Sequence, residues 1–353
     1  MSAIRSVLIA RSAFGDQYEP AWARALGEAG VTCRIADAHA SVGSGLLGRI
    51  QERLLRGPGI ARAGRDLVAA VERDRPDVVL LYHGHHFGPG VLDRLRSLAF
   101  VTGYHNDDPT GPRSGMLRYR LLLRALPRYQ GYHVYRECNV PEFIAAGVPR
   151  VKVLPAYYLP WIDRPREVSA EDVRRWGGDI LFAGHVEPDG RLDCLASAAR
   201  AGLDVRVLGD ARFWRPALPA DAPPGLRLLP AAYGETYRAA LCAAKVCACF
   251  FSKWNRDAVT RRAFEIPACG AFLLAERTPA MQALYEEGKE AEYFASPDEF
   301  VEKARFYAAH DEARRRVAEA GRRRAETSGY DIHSRMRQWL EDVAAWRDEA
   351  AGA

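Results

Sequence analysis

A hydroxyl, adjacent arginines and spaced carboxylates fall within one short stretch, Asn255 to Glu276, which reads Asn-Arg-Asp-Ala-Val-Thr-Arg-Arg-Ala-Phe-Glu-Ile-Pro-Ala-Cys-Gly-Ala-Phe-Leu-Leu-Ala-Glu. The apolar run before it, Lys245 to Phe251, predicts a buried strand, and Ala271 to Ala275 predicts another, with a short helix between them. Asp257 and Glu265 have seven residues between them, so a helix would hold them about two turns apart on nearly one face. Thr260, Arg261 and Arg262 would then lie in its first turns. A helix N-terminus offers N–H groups, and with a hydroxyl and guanidinium groups it suits a diphosphate. A carboxylate further along can hold a ribose diol. Pro267 and Gly270 are expected to end the helix and turn the chain into the next strand. The plain alternative is a helix whose charges only face water.

The run Asn255-Arg-Asp-x-x-Thr-x-Arg-x-Phe-Glu-Ile-Pro-Ala-Cys-Gly270, followed by Phe272-Leu-Leu-Ala-Glu-Arg-Thr278, resembles the donor-site signature of the spore-maturation (CgeB-type) glycosyltransferases. Those are similar to the retaining family four of nucleotide-sugar glycosyltransferases, which have the GT-B fold. The pair Asp257 and Glu265 is similar to that family's Glu-x7-Glu element, with Asp in place of the first Glu. The likeness continues through Leu284–Glu290 and Arg314–Arg324, so it covers most of the C-terminal half and the N-terminal half much more weakly. It implies a nucleotide-diphospho-sugar donor, no bound metal or other cofactor, and retention at the anomeric carbon. In that reading Lys253, Asn255, Thr260, Arg261, Arg262 and Glu265 serve the donor, Glu265 at its ribose, and Asp257 lies near the sugar.

Open α/β sheets bind ligands at the carboxyl ends of their strands, which directs attention to further segments. Phe182-Ala-Gly-His-Val-Glu-Pro-Asp-Gly-Arg191 follows one expected strand, so Gly184 and Arg191 are donor-site candidates. The resemblance to family four implies an Arg and a Lys hereabouts; residues 184–200 contain no Lys, so Arg261, Arg262 or Lys253 is the candidate for the second cation. Tyr104-His-Asn-Asp-Asp-Pro109 ends another strand, so His105, Asp107 or Asp108 can touch the acceptor hydroxyl or the transferred sugar. Asp before Pro is equally a turn starter and helix cap. Tyr82-His-Gly-His-His-Phe-Gly88 places three histidines in four positions; without acidic or Cys partners at ligand spacing it reads as a substrate-facing loop, not a metal site. Leu46 to Leu55 and Arg113 to Arg128 mix apolar and basic residues at helical spacing. Such helices can sit on an acidic membrane; the plain reading is a surface helix with its Leu face turned inward.

These segments must be held by strands and helices that alternate. Strands are expected at Ser6–Ala10, followed by a turn at Arg11–Gly15, then at Val31–Ala36, Asp77–Gly84, Phe100–His105 and Gly131–Tyr135. A second set follows at Asp179–Gly184, Val205–Gly209, Leu226–Leu229, Lys245–Phe251 and Phe272–Ala275, with helical patterns between. The alternation predicts two parallel, doubly wound α/β sheets. Three prolines in Leu154–Pro165 mark the connection between them. The expected division is residues 1–158, with a returning C-terminal helix from 334 to 353, as an acceptor domain, and residues 159–333 as a donor domain, the two facing a cleft as in GT-B enzymes.

The bulk composition of the 353 residues agrees, with 48% apolar residues, a formal net charge of +5 and a pI near 8.8. A mild basic excess suits anionic partners such as nucleotide-sugars and acidic membranes. No basic–aromatic recognition motif accompanies it, so no nucleic-acid partner is expected. Seven scattered cysteines without Cys-x2-Cys pairs predict reduced thiols in the cytoplasm. Met1–Ala10 has no long apolar run, so no signal peptide is expected, and no stretch reaches a membrane span. The expected activity is sugar transfer from a nucleotide-diphospho-sugar to a hydroxyl on a glycan, a lipid-linked acceptor or a small molecule. A nucleotide-sugar epimerase or hydrolase, or a non-catalytic binding module, would fit the same fold.

Overall fold

The computed structural model describes residues 3–11, 18–37, 40–43, 45–112 and 114–352. Met1, Ser2, the turn expected at Arg11–Gly15 beyond its first residue, Arg113 and Ala353 lie outside them. The chain divides into two compact units, one formed by residues up to Pro155 together with those from Ile332 on, the other by Ala156–Asp331.

The first unit carries β1 (Ser6–Arg11), β2 (Thr32–Asp37), β3 (Val78–Tyr82), β4 (Phe100–His105), β5 (Gly131–Val134) and β6 (Val151–Val153). They form one parallel sheet in the order β2-β1-β3-β4-β5-β6. The second unit carries β7 (Ile180–Ala183), β8 (Val205–Leu208), β9 (Leu226–Leu229), β10 (Val246–Cys249), β11 (Leu273–Glu276) and β12 (Glu292–Phe294), also parallel, in the order β12-β11-β10-β7-β8-β9. Helices cover both faces of a parallel sheet, so its central strands must be apolar throughout. Every residue of β3, β4, β8 and β10 is accordingly buried, while the edge strand β2 is largely exposed. Each order reverses direction once, between β1 and β3 in the first sheet and between β7 and β10 in the second. Such switch points open a crevice beyond the strand ends.

The terminal helix Ile332–Gly352 belongs to the first unit. Its Trp339 is buried against Trp22, and Asp342 accepts from His133 Nε2 at 3.1 Å and from Lys152 Nζ at 2.5 Å. A β-carbon on Gly131 would lie 2.3 Å from the Trp346 ring, so only glycine lets the helix pack this closely on β5.

Two local expectations change. The helix of the 255–276 stretch begins only at Arg262 and ends at Ala268, with turns before it. Arg256 takes a left-handed conformation, φ 50°, and the Asp257 N–H closes a turn onto the Ser252 carbonyl at 2.9 Å, so a helix cannot run through Asp257. Pro267 sits inside the last turn instead of ending it, and the chain turns at Gly270 with φ 70°. The 113–128 segment is broken into a 3-10 turn at Leu117–Tyr119, a helix at Arg120–Ala125 and a second 3-10 turn at Leu126–Arg128 that contains Pro127. Among the described residues no helix is long and apolar enough to cross a membrane.

Candidate functional site

In the second unit the chemistry gathers at the β7/β10 switch point. Gly184 follows β7 directly, and a β-carbon there would meet Arg262 Nη2 at 3.1 Å and Phe182 Cζ at 2.9 Å. Glycine thus allows the guanidinium at the start of the Arg262–Ala268 helix to close over the strand end. The Gly184 carbonyl is fixed by Trp214 Nε1 at 2.8 Å. Partial burial, and then the charge of Arg262, hold the neighbouring His185 imidazole below its usual range. Thr260 packs its hydroxyl 3.5 Å from the Cys249 thiol at the end of β10. Asn255 Oδ1 is buried and has no hydrogen-bond partner among the described residues, which leaves an acceptor for a ligand.

The loop between β10 and this helix is pinned at several points. Ser252 Oγ donates to Glu187 at 2.7 Å and accepts the Asn255 N–H at 3.1 Å. Glu276, at the end of β11, accepts the Phe251 N–H at 2.5 Å and Lys253 Nζ at 3.0 Å. Thr278 Oγ1 donates to the Ala258 carbonyl at 2.8 Å. A loop fixed at both ends presents Asn255, Asp257 and Thr260 with little ordering left for a ligand to impose.

On this helix Glu265 bridges two groups, Arg261 Nε at 2.6 Å and the Tyr237 hydroxyl at 3.3 Å. Arg261 Nη2 also lies 3.8 Å from the buried carboxylate of Asp163, which accepts the Leu159 N–H at 2.7 Å. Burial, and then the negative charge of Glu265, push the Asp163 carboxyl up to about 7.

In the first unit four histidines collect at the ends of β3 and β4. His105 Nδ1 lies 3.0 Å from the Asp107 N–H and 3.1 Å from the Asp107 carbonyl oxygen. His105 Nε2 faces His85 Nε2 at 2.8 Å, so one of the two nitrogens carries the proton and the other accepts it. Burial, and then the neighbouring imidazoles, hold both rings well below the usual histidine range. His83, in the left-handed region with φ 61°, bonds Asn106 through Nε2, and His86 Nε2 bonds both oxygens of Glu52 at 2.8 Å. Among the described residues no group of three or more His, Cys, Asp or Glu side chains is placed to hold a metal ion. Beside the cluster lies a cavity of about 610 Å³, lined among others by Arg49, Glu52, Arg53, His85 and Arg118.

Residues 191–341 match the glycosyl transferase-like family. No curated protein matches the sequence. Many solved structures resemble the chain, several of them over nearly all of its length. Sucrose-phosphate synthase from Thermosynechococcus elongatus is 13% identical, with 99% of this chain and 100% of that one covered and a TM-score of 0.69. Anabaena HepE, in complex with UDP-glucose, is 11% identical, with 96% and 99% covered and a TM-score of 0.67. A glycosyltransferase from Rickettsia africae is 11% identical, with 98% of each chain covered and a TM-score of 0.67. The fold is GT-B. The structural likeness establishes that fold, and the family match supports a glycosyltransferase.

On this GT-B frame the expected residues separate. Gly184, Thr260 and Arg262 gather at the second switch point together with the buried Asn255 carbonyl. Arg191 is turned inward: Nε and Nη2 hold Asp189 at 2.8 and 2.5 Å, and Nη1 donates to the His185 carbonyl at 2.7 Å, so it shapes the loop after β7. Lys253 pairs with Glu276 and Arg261 with Glu265. In the first unit Asp107 is one-third exposed and lies 3.3 Å from Arg118. Asp108 is fully buried, accepting from Asn139 Nδ2 at 2.8 Å and Thr110 Oγ1 at 3.3 Å. His105 is equally buried, with Nδ1 against the Asp107 backbone and Nε2 against His85. Asp163, Glu187, Tyr237 and Glu276 were not expected from the sequence; each acts through a partner far along the chain, and only their places near strand ends or in the Pro-rich connection hint at them.

Proposed function

We propose that the chain transfers a sugar from a nucleotide-diphospho-sugar to a hydroxyl of a carbohydrate acceptor. The observation that carries this reading is the closure of Arg262 over Gly184 at the β7/β10 switch point, beside Thr260 and the buried Asn255 Oδ1. A guanidinium and backbone groups at a strand end suit a diphosphate, and they count most as negative charge builds on the leaving group. Glu265, oriented by Arg261 and Tyr237, receives the donor ribose at its remaining lone pairs. Asp257 lies on the pinned loop toward the sugar. HepE, of the same fold, was solved with UDP-glucose, which makes a uridine donor the first to test.

In the reaction the bond from the acceptor oxygen to the anomeric carbon forms as the bond from that carbon to the diphosphate oxygen breaks. The acceptor proton passes to an oxygen of the departing diphosphate, with retention. Asp107, reachable beside Arg118, contacts the acceptor. No metal takes part, because Arg262 and the backbone supply the positive field. Seven free thiols suit a reducing compartment.

Calorimetric titration with a panel of nucleotide-sugars, in excess chelator, tests the reading. Saturable binding of at least one donor is expected, unaffected by chelator. Donor consumption without an acceptor would instead favour a hydrolase or epimerase. Activity lost to chelator and restored by a divalent ion would contradict metal independence and return attention to His83, His85 and His86.

A further inference from the structure

Amphipathic helices on soluble domains turn their apolar face to the core. The helix Leu46–Leu54 does the reverse, exposing Leu46 (68%), Leu47 (65%), Ile50 and Leu54 while Gly48 and Gln51 are buried. The orientation is fixed, not incidental. A β-carbon on Gly48 would lie 1.9 Å from the Gly43 carbonyl, so only glycine fits on the inner side. Gln51 Oε1 accepts the Gly59 N–H at 2.6 Å, which stops the helix from rolling. Met116 and Leu117 are also exposed and, like Arg49 and Arg53 of the helix, line the 610 Å³ cavity. An exposed apolar cluster built this deliberately marks an interaction surface.

Its charge identifies the partner. Arg49 and Arg53 stand three residues after Leu46 and Ile50, so they flank the apolar face. Among the described residues neither has an acidic partner; Glu52 is held by His86, and Asp107 lies beside Arg118. Leucines outward with unpaired arginines at their edge match a bilayer surface, where acyl chains take the leucines and lipid phosphates take the guanidinium groups. We propose that the Leu46–Leu54 helix with Met116 and Leu117 is a docking surface for an anionic membrane, and that a lipid phosphate enters the cavity between Arg49, Arg53 and Arg118. This surface stands independently of the sugar-transfer reading, and its test needs no donor.

Co-sedimentation with vesicles of phosphatidylglycerol and phosphatidylcholine, against phosphatidylcholine alone, tests it. At low salt the full chain should partition at least about tenfold more strongly onto the anionic vesicles, and the preference should fade as salt rises. Arg49→Ala with Arg53→Ala should cut that binding about thirtyfold, roughly fivefold per charge. Leu46→Ser with Leu47→Ser should weaken it even at low salt; these side chains are exposed, and circular dichroism should show both pairs of variants folded. Equal binding to both vesicles, or binding that neither pair changes, would overturn the proposal. So would a concentration-dependent dimer, seen by sedimentation, that Leu46→Ser abolishes, because the face would then belong to a second copy of the chain.

Discussion

A β-carbon on Gly184 would sit 3.1 Å from Nη2 of Arg262, so the guanidinium closes directly over the end of β7. A hydrogen bond from a charged donor contributes about 1.5–3 kcal/mol. Arg262→Ala should therefore weaken nucleotide-sugar binding by about tenfold to a hundredfold while leaving the melting temperature nearly unchanged. Arg262→Lys should restore only part of the affinity, since a point charge cannot reproduce the planar fork. Calorimetry on the two variants checks this. Unchanged affinity in Arg262→Ala would move the diphosphate elsewhere.

Asp163 makes stability depend on pH. Its folded carboxyl is raised to about 7, mainly by burial and then by Glu265, above the ordinary value of 3.8. The folded chain therefore holds a proton that the unfolded chain releases, so the contribution is fully present below about pH 4 and is lost as pH rises through 7. Between pH 5 and pH 8 the loss is about 2–3 kcal/mol. Asp163→Asn keeps an acceptor for the Leu159 N–H and carries no charge, so it should flatten this slope and raise stability at pH 8. Thermal melts at the two pH values measure the difference; parallel slopes in both proteins would contradict the assignment.

The His85–His105 contact sets two Nε2 atoms 2.8 Å apart, so one ring carries its proton on Nε2 and the other on Nδ1. Nitrogen NMR of labelled imidazoles at pH 7 should show one ring of each tautomer and neither ring charged. Both rings have folded pKa values depressed by burial, so their contribution to stability is present above the ordinary histidine value of 6.5 and is lost as pH falls through the lower folded values. A charged ring, or matching tautomers, would refute the pairing.

Asp107 and Asp108 are neighbours with separate duties. Asp107→Asn should reduce transfer about tenfold or more with donor affinity intact, because the side chain is reachable and sits beside Arg118. Asp108→Asn should leave the residual chemistry alone and destabilise the first unit by about 1–3 kcal/mol, since it puts an amide donor against Asn139 Nδ2. Denaturation curves and transfer rates, taken together, separate the two.

How far the sequence could be read follows from what each feature depends on. Short apolar runs such as Val78–Tyr82 and Val246–Cys249, alternating with helical patterns, fit buried strands of a parallel sheet, so the two sheets were legible. The donor stretch was legible in its residue types but not in its backbone. Arg256 adopts a left-handed turn that spacing does not reveal, and this moves Asp257 off the helix. Burial of a cation is equally hidden. Arg191 lies at a strand end, as a phosphate ligand would, yet Asp189 turns it inward. The meeting of His85 and His105 joins the turn after β3 to the end of β4, so it exists only in the folded sheet. Leu46–Leu54 has helical spacing, and the plain reading turns its leucines inward; Gly48 and Gln51 reverse that, through contacts with Gly43 and Gly59.

The measurement that bears most directly on the account is acceptor-dependent release of nucleotide. Pure protein is mixed with UDP-glucose, or whichever nucleotide-sugar binds in calorimetry, in excess chelator, with and without a panel of carbohydrate acceptors. Nucleotide release that requires an acceptor, with the sugar recovered on that acceptor and the rate lost in Arg262→Ala, is the predicted result. Release at the same rate without any acceptor, or turnover unaffected by Arg262→Ala, would contradict it.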